Sequence, residues 1–117
     1  MKLLADIAVC IAGIVQIAIM ILEIFFWQSH TSLRAFKMSP ELAAMTTYMG
    51  ANQGLYNGFL GFGIFFGLIL GDFSIKVFFL SCLIIAAIFG AMTVNRLIIV
   101  FQGVPALLAF LLNFLVK

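Results

Sequence analysis

The sequence predicts an all-α integral membrane protein, a four-helix bundle with an extended or interfacial helix ahead of the second span. Three observations predict it. The chain of 117 residues is 66% hydrophobic and 9% charged, against about 45–50% and about 25% in a typical soluble domain. Apolar runs near the roughly 20 residues that cross a bilayer recur along it. Between the runs lie short segments of Gly, Pro, Asp, Ser and basic residues, which punctuate helices. One membrane domain over residues 1–117 follows.

The first span covers residues 3–27. It outruns the h-region of a signal peptide, Asp6 interrupts its beginning, and no small-x-small cleavage site follows it. It therefore reads as an uncleaved span. Residues 28–39 form a polar connector with His30, Arg34 and Lys37. Ser39-Pro40-Glu41 then marks a helix start: Ser as N-cap, Pro at the first helical position, Glu in the first turn. That helix runs through Met49 into the second span, residues 50–70. Gly71-Asp72-Phe73-Ser74 is a tight turn, and the third span covers 75–96. Gln102-Gly103-Val104-Pro105 breaks the pattern around the start of the fourth span, 101–116, which is short and so either is tilted little or begins before the proline.

Four spans place both termini and the Gly71–Ser74 turn at one membrane face, here the terminal end. Residues 28–39 and the turn near Arg96 lie at the other, the connector end. Lys2, Lys76 and Lys117 sit at the first, and Arg34, Lys37 and Arg96 at the second. The positive-inside rule thus favours neither orientation.

Composition also excludes. A net charge of +2 without a Lys/Arg cluster gives no basic stripe for nucleic acid. Cys10 and Cys82 stand alone in apolar runs, so no disulfide framework or metal site is implied. No phosphate-cradling loop or cofactor motif exists, and the glycines are spaced for helix packing. The lone His lies in the connector, so no nucleophile–His–acid set assembles.

The second span is the most informative. Ala51-Asn52-Gln53-Gly54-Leu55-Tyr56-Asn57-Gly58 puts two Asn, one Gln and one Tyr at the start of an apolar helix. Amides in a lipid-buried helix need partners inside the protein. On a helical wheel Asn52, Gln53, Tyr56 and Asn57 share an arc with Gly63, Gly67 and Gly71, while Phe59, Phe62 and Phe66 lie opposite. The polar and glycine face is expected inside and the phenylalanines toward lipid. Gly50, Gly54 and Gly58 form a second ladder, suited to another helix or another protomer.

Polar side chains from four segments fall at one depth, the connector end. They are Gln16, Glu23 and Trp27 of the first span and the amide-rich start of the second. Thr93, Asn95 and Arg96 of the third and Gln102 of the fourth complete the set. Glu23 and Arg96 are expected to pair or to share a ligand's head group, since a lone intramembrane charge is costly by a few kcal/mol or more. The same residues also suit a purely structural network that fixes helix register, with Trp27 and Arg96 as interfacial anchors. His30 reads as a solvated connector residue, Tyr56 as a packed hydrogen-bond donor, and Asp6 and Asp72 as membrane-edge residues.

Several segments resemble a bacterial family, domain of unknown function thirteen-oh-four, of small four-span membrane proteins. They are Glu23-Ile-Phe-Phe-Trp27, the run Ala51 to Leu60, Phe89-Gly-Ala-Met-Thr-Val-Asn-Arg96 and Gln102-Gly-Val-Pro-Ala106. The resemblance covers nearly the whole chain and implies the four-span topology and a bacterial plasma-membrane location. Many relatives carry His where this chain has Gln16, so no His-dependent chemistry transfers.

Three functions compete. The first is a site for a lipophilic molecule with a polar head, held by the connector-end cluster. The second is small-molecule or proton-coupled transport, against which Glu23 lies near the membrane edge rather than the middle. The third is a structural or accessory subunit, or a homo-oligomer, associating through the glycine faces. The bilayer is the one partner all three share.

Overall fold

A computed structural model describes all of residues 1–117. It is entirely helical: α1 (Lys2–Phe25), α2 (His30–Ala35), α3 (Pro40–Met45), α4 (Thr47–Leu70), α5 (Phe73–Thr93) and α6 (Val104–Leu115), the last preceded by a π-helical turn, Ile99–Gly103. Three helices, α1, α4 and α5, are long and apolar enough to cross a membrane, and Ile99–Leu115 is a shorter apolar helix. A helix of 24 residues rises about 36 Å, more than the ~30 Å hydrocarbon core.

Local signals set the boundaries. Lys2 and Asp6 form an exposed i,i+4 ion pair of 2.8 Å on the first turn of α1. Ala5, Val9, Ala12, Gln16 and Glu23 are buried along one stripe of that helix, while Ile7, Ile11, Ile14 and Ile21 point outward. Beyond Phe25 the chain reverses, and the Ser32 hydroxyl donates to the Phe26 carbonyl at 2.6 Å. The connector is more ordered than its sequence suggests. Ser29 caps α2 by accepting from the Ser32 N–H, and Ser39 caps α3 by accepting from Leu42, with Pro40 in the first turn as anticipated.

The helix from Ser39 does not run unbroken into the second span. It stops at Met45, and Thr46 leaves helical geometry before α4 begins. Two bonds hold this joint. The Thr46 hydroxyl donates to the Leu42 carbonyl at 2.8 Å and accepts the Trp27 indole N–H at 3.1 Å. The indole then lies where a Gly50 side chain would begin.

Gly71 closes α4 in the left-handed region at φ 64°, the conformation that favours glycine. Asp72 caps α5 by accepting from the Ile75 N–H. At the other end the last helix begins before Pro105, and the irregularity at Gln102–Pro105 takes the form of a π-helical turn, Ile99–Gly103. The Val104 N–H reaches back to Ile99, five residues away, and the chain passes through Pro105 without leaving the helix. Proline has no N–H to offer the preceding turn, and one widened turn accommodates that gap.

α1 packs against α4 and α6, and α5 packs against α4 and α6, so the long helices close a ring. Val9, Ala12, Ile64, Leu80, Leu83, Ala106 and Ala109 form its apolar core. Alanines and glycines at these contacts let backbones approach closely. The exterior is apolar as well: Phe59, Phe62 and Phe66 are 54–59% exposed, as anticipated for a lipid-facing stripe.

Both glycine ladders of α4 are used within the chain. Ideal Cβ atoms on Gly54, Gly58 and Gly61 would meet Ile24 and Glu23, Met20, and Ile17 of α1. Those on Gly63 and Gly67 would meet Phe79 and Lys76 of α5.

Candidate functional site

The close approach of α4 to α1 builds a polar network. Gln16 and Glu23, seven residues apart, lie on one face of α1, and both are 0% exposed. Gln53 and Asn57, four apart, face them from α4. Gly54 stands between the two amides, against the Glu23 Cβ and the Met20 carbonyl. A larger residue there would hold the helices apart and put short amides beyond reach of the carboxylate.

Each oxygen of Glu23 has its own donor: Asn57 Nδ2 reaches Oε1 and Gln53 Nε2 reaches Oε2. Gln16 Nε2 extends the chain by donating to Asn57 Oδ1 at 2.9 Å. Gln16 Oε1 is the one buried side-chain polar atom without a hydrogen-bond partner. The cluster is a carboxylate held by amide dipoles with no cation beside it.

The anticipated Glu23–Arg96 pair is not formed. Arg96 is exposed, and the ion pair present in the fold is Lys2–Asp6. The reason lies in the neighbouring residue. Asn95 donates to the Ala35 carbonyl at 3.0 Å and accepts from the Leu97 N–H at 3.0 Å, pinning the turn after α5 to α2. Arg96 therefore projects outward, while Glu23 faces α4.

The remaining sequence candidates separate. Trp27 is buried as the wedge on Gly50, with Phe36 at 5.0 Å between ring centroids. Asn52 and Tyr56 are exposed rather than inside the bundle, and Tyr56 stacks edge-on to Phe59. The glycine contacts of that arc with α5 occur lower, at Gly63 and Gly67. At the level of Asn52 and Tyr56 the arc faces outward. Thr93 folds back on the Phe89 carbonyl at 2.8 Å. Gln102, half-buried, lies on a different cavity.

That cavity is a groove of about 740 Å³ between α1, α2 and the segment from Asn95 to Gln102. Val15, Ala18, Ile19 and Leu22 of α1 form one wall, and Leu97, Ile98 and Phe101 another. His30, Thr31 and Arg34 of α2 stand at its connector end with Asn95, while Gln102 lines it deeper, next to Gly103 at the level of Ala87. The volume falls within the range of about 300–1,000 Å³ common for small-molecule sites. From the sequence His30 and Arg34 read only as connector residues, with His30 solvated, and neither was assigned to a site. The cap signal at Ser29, followed by His30 and Arg34 at i,i+4 spacing, is the clue that places both on one helix face. A smaller cleft of about 200 Å³ lies beside Trp27, Thr46 and Gln53.

Fold and cluster together define a class: an all-α protein with helices of bilayer length, an apolar exterior and a polar network at one end. A family described as "Protein of unknown function (DUF1304)" matches residues 10–114, and the chain belongs to it. It is similar to the "Uncharacterized protein YpaA" of Lactococcus lactis subsp. lactis (strain IL1403), 33% identical over 100 residues, which cover 82% of this chain and 84% of that relative. No solved structure matches the chain.

Proposed function

We propose that this chain is a four-span protein of the bacterial plasma membrane that binds a lipophilic molecule with a polar head group at the connector end. The groove between α1, α2 and the 95–102 segment carries the reading. Its walls are aliphatic and aromatic, while His30, Thr31, Arg34 and Asn95 gather at one end, the arrangement an amphiphile requires. Asn95 and Gln102, two candidates from the sequence, line it. The Glu23 cluster supports the site by locking α1 to α4, which fixes one wall. Native mass spectra of the detergent-purified chain test the reading, beside Ala18→Phe, which fills the groove from an exposed position. The expected result is a defined extra mass on the wild type that Ala18→Phe loses while remaining folded. A bare wild type in gentle detergent, and after reconstitution with total bacterial lipid, overturns it.

A second reading, proton-coupled transport, draws on the buried Glu23 with no cation beside it and on the unpartnered Gln16 oxygen. Flux in proteoliposomes separates the two. Transport through Glu23 predicts that Glu23→Gln abolishes flux, whereas the binding reading predicts that a folded Glu23→Gln protein keeps the extra mass.

A further inference from the structure

We infer that the groove selects an amphiphile whose head group is anionic, a phosphate or carboxylate on an acyl chain, and that Arg34 is the residue that selects it. The inference rests on the binding reading above and adds the head group's charge. Its first support is the charge of the lining. Arg34 and His30 are the ionisable residues on the groove, and no carboxylate lines it.

The second support is that Arg34 has no other occupation. The guanidinium makes no ion pair and no side-chain hydrogen bond within the fold. Asn95 differs, because its amide already donates to Ala35 and accepts from Leu97. Its first role is to position α2 over the groove. Gln102 is half-buried with no side-chain partner and lies deeper in the groove, so it is not part of the head-group end.

The wider field has the same sign. Arg34, Lys37 and Arg96 lie at the connector end against Glu23 and Glu41. Glu23 is buried behind α1, facing α4 rather than the groove. The exposed balance is three basic residues against one acidic, and an anion approaching this end is attracted. A guanidinium offers a planar set of donors that matches phosphate or carboxylate oxygens. The aliphatic walls, running from α2 along α1, demand a tail, so a free anion fills only the mouth. The occupant that satisfies both ends is an anionic lipid or a fatty acid, reached from the bilayer.

Wild type, Arg34→Gln, Arg96→Gln and Ala18→Phe are purified in detergent. Each is titrated in native mass spectrometry with phosphatidylglycerol, phosphatidylcholine of the same acyl chains, oleate and glycerol phosphate. The wild type is expected to prefer the anionic lipids over phosphatidylcholine by about tenfold or more, the size of one charge-assisted contact. Glycerol phosphate alone is expected to bind weakly. Arg34→Gln should lose the preference yet still bind lipid, and Arg96→Gln, equal in charge but outside the groove, should keep it. Equal loss in Arg34→Gln and Arg96→Gln would reduce the effect to surface charge and overturn the inference. So would tight binding of glycerol phosphate, or a preference that survives Arg34→Gln. Should phosphatidylcholine bind as well as phosphatidylglycerol, and Ala18→Phe abolish both, the head-group inference fails while the binding reading stands. Should no lipid respond to Ala18→Phe, the binding reading itself fails.

Discussion

At the terminal end, α1, α4, α5 and α6 meet through Val9, Ala12, Ile64, Leu80, Leu83, Ala106 and Ala109, with apolar atoms against apolar atoms. At the connector end α1 and α4 meet through a carboxylate and three amides, with a tryptophan wedge above them. The first arrangement is non-directional and tolerates repacking. The second works only if each donor meets its acceptor, and it leaves a groove beside it on the other face of α1. Inside a membrane the contrast sharpens, since lipid is as apolar as the core and only close packing or polar contacts distinguish one helix arrangement from another. The end built from polar contacts is therefore the one that specifies register and has room for a ligand.

Breaking the terminal end should have the largest effect. Leu80→Ala or Leu83→Ala removes a fully buried side chain and should destabilise by about 2–5 kcal/mol, read as a lower unfolding midpoint in mixed detergent. Gly67→Val comes next, because the Cβ would lie 2.9 Å from the Lys76 backbone nitrogen, which cannot turn aside. About 1–3 kcal/mol is expected from such overpacking. Gly58→Ala gives the control: its nearest neighbour is the flexible Met20 Sδ, so its effect should be the smaller of the two by the same measurement.

The connector end breaks differently. Glu23→Ala strands the Gln53 and Asn57 donors and should cost about 1–3 kcal/mol. Adding Gln16→Leu, Gln53→Leu and Asn57→Leu should recover part of that loss, since no amide of the network is then left unpaired. If the quadruple variant is less stable than Glu23→Ala alone, the network is not what joins α1 to α4. Thr46→Val removes the acceptor for the Trp27 indole and should destabilise by about 1 kcal/mol, with a shift in tryptophan fluorescence. The smallest effect belongs to Arg96→Gln, at an exposed side chain, where stability should change by less than about 0.5 kcal/mol.

Much of this arrangement was legible in the residues. The helical class and the apolar runs follow from a chain with too few polar groups to cover itself in water. Ser39-Pro40 is a local signal, and Ser39 caps a helix where it was expected to, whereas Asp72, expected only in a turn, also caps the helix that follows. The depth shared by Glu23, Gln53 and Asn57 was readable as well, because helical rise converts sequence position into height, and Gln16 was readable as sharing the face of Glu23 about two turns deeper. Direction around the axis was harder to read. Asn52 and Tyr56 share an arc with Gln53 and Asn57 on a wheel, yet only Gln53, itself partly outside the bundle, and half-buried Asn57 reach Glu23, since α4 turns different parts of that arc toward α1 and α5 at different heights.

The sequence by itself determined the solvent the exterior suits, the long helices and the height at which polar side chains gather. Composition and rise per residue are properties of the chain alone. Only the tertiary structure decided that Glu23 meets two amides instead of Arg96, that α2 forms and carries Arg34 to a groove, and that Pro105 sits within a continuous helix. Those outcomes depend on which faces touch. Contact between faces is set by glycines that admit a neighbour and by single hydrogen bonds such as Asn95 to Ala35, neither of which a one-dimensional pattern ranks.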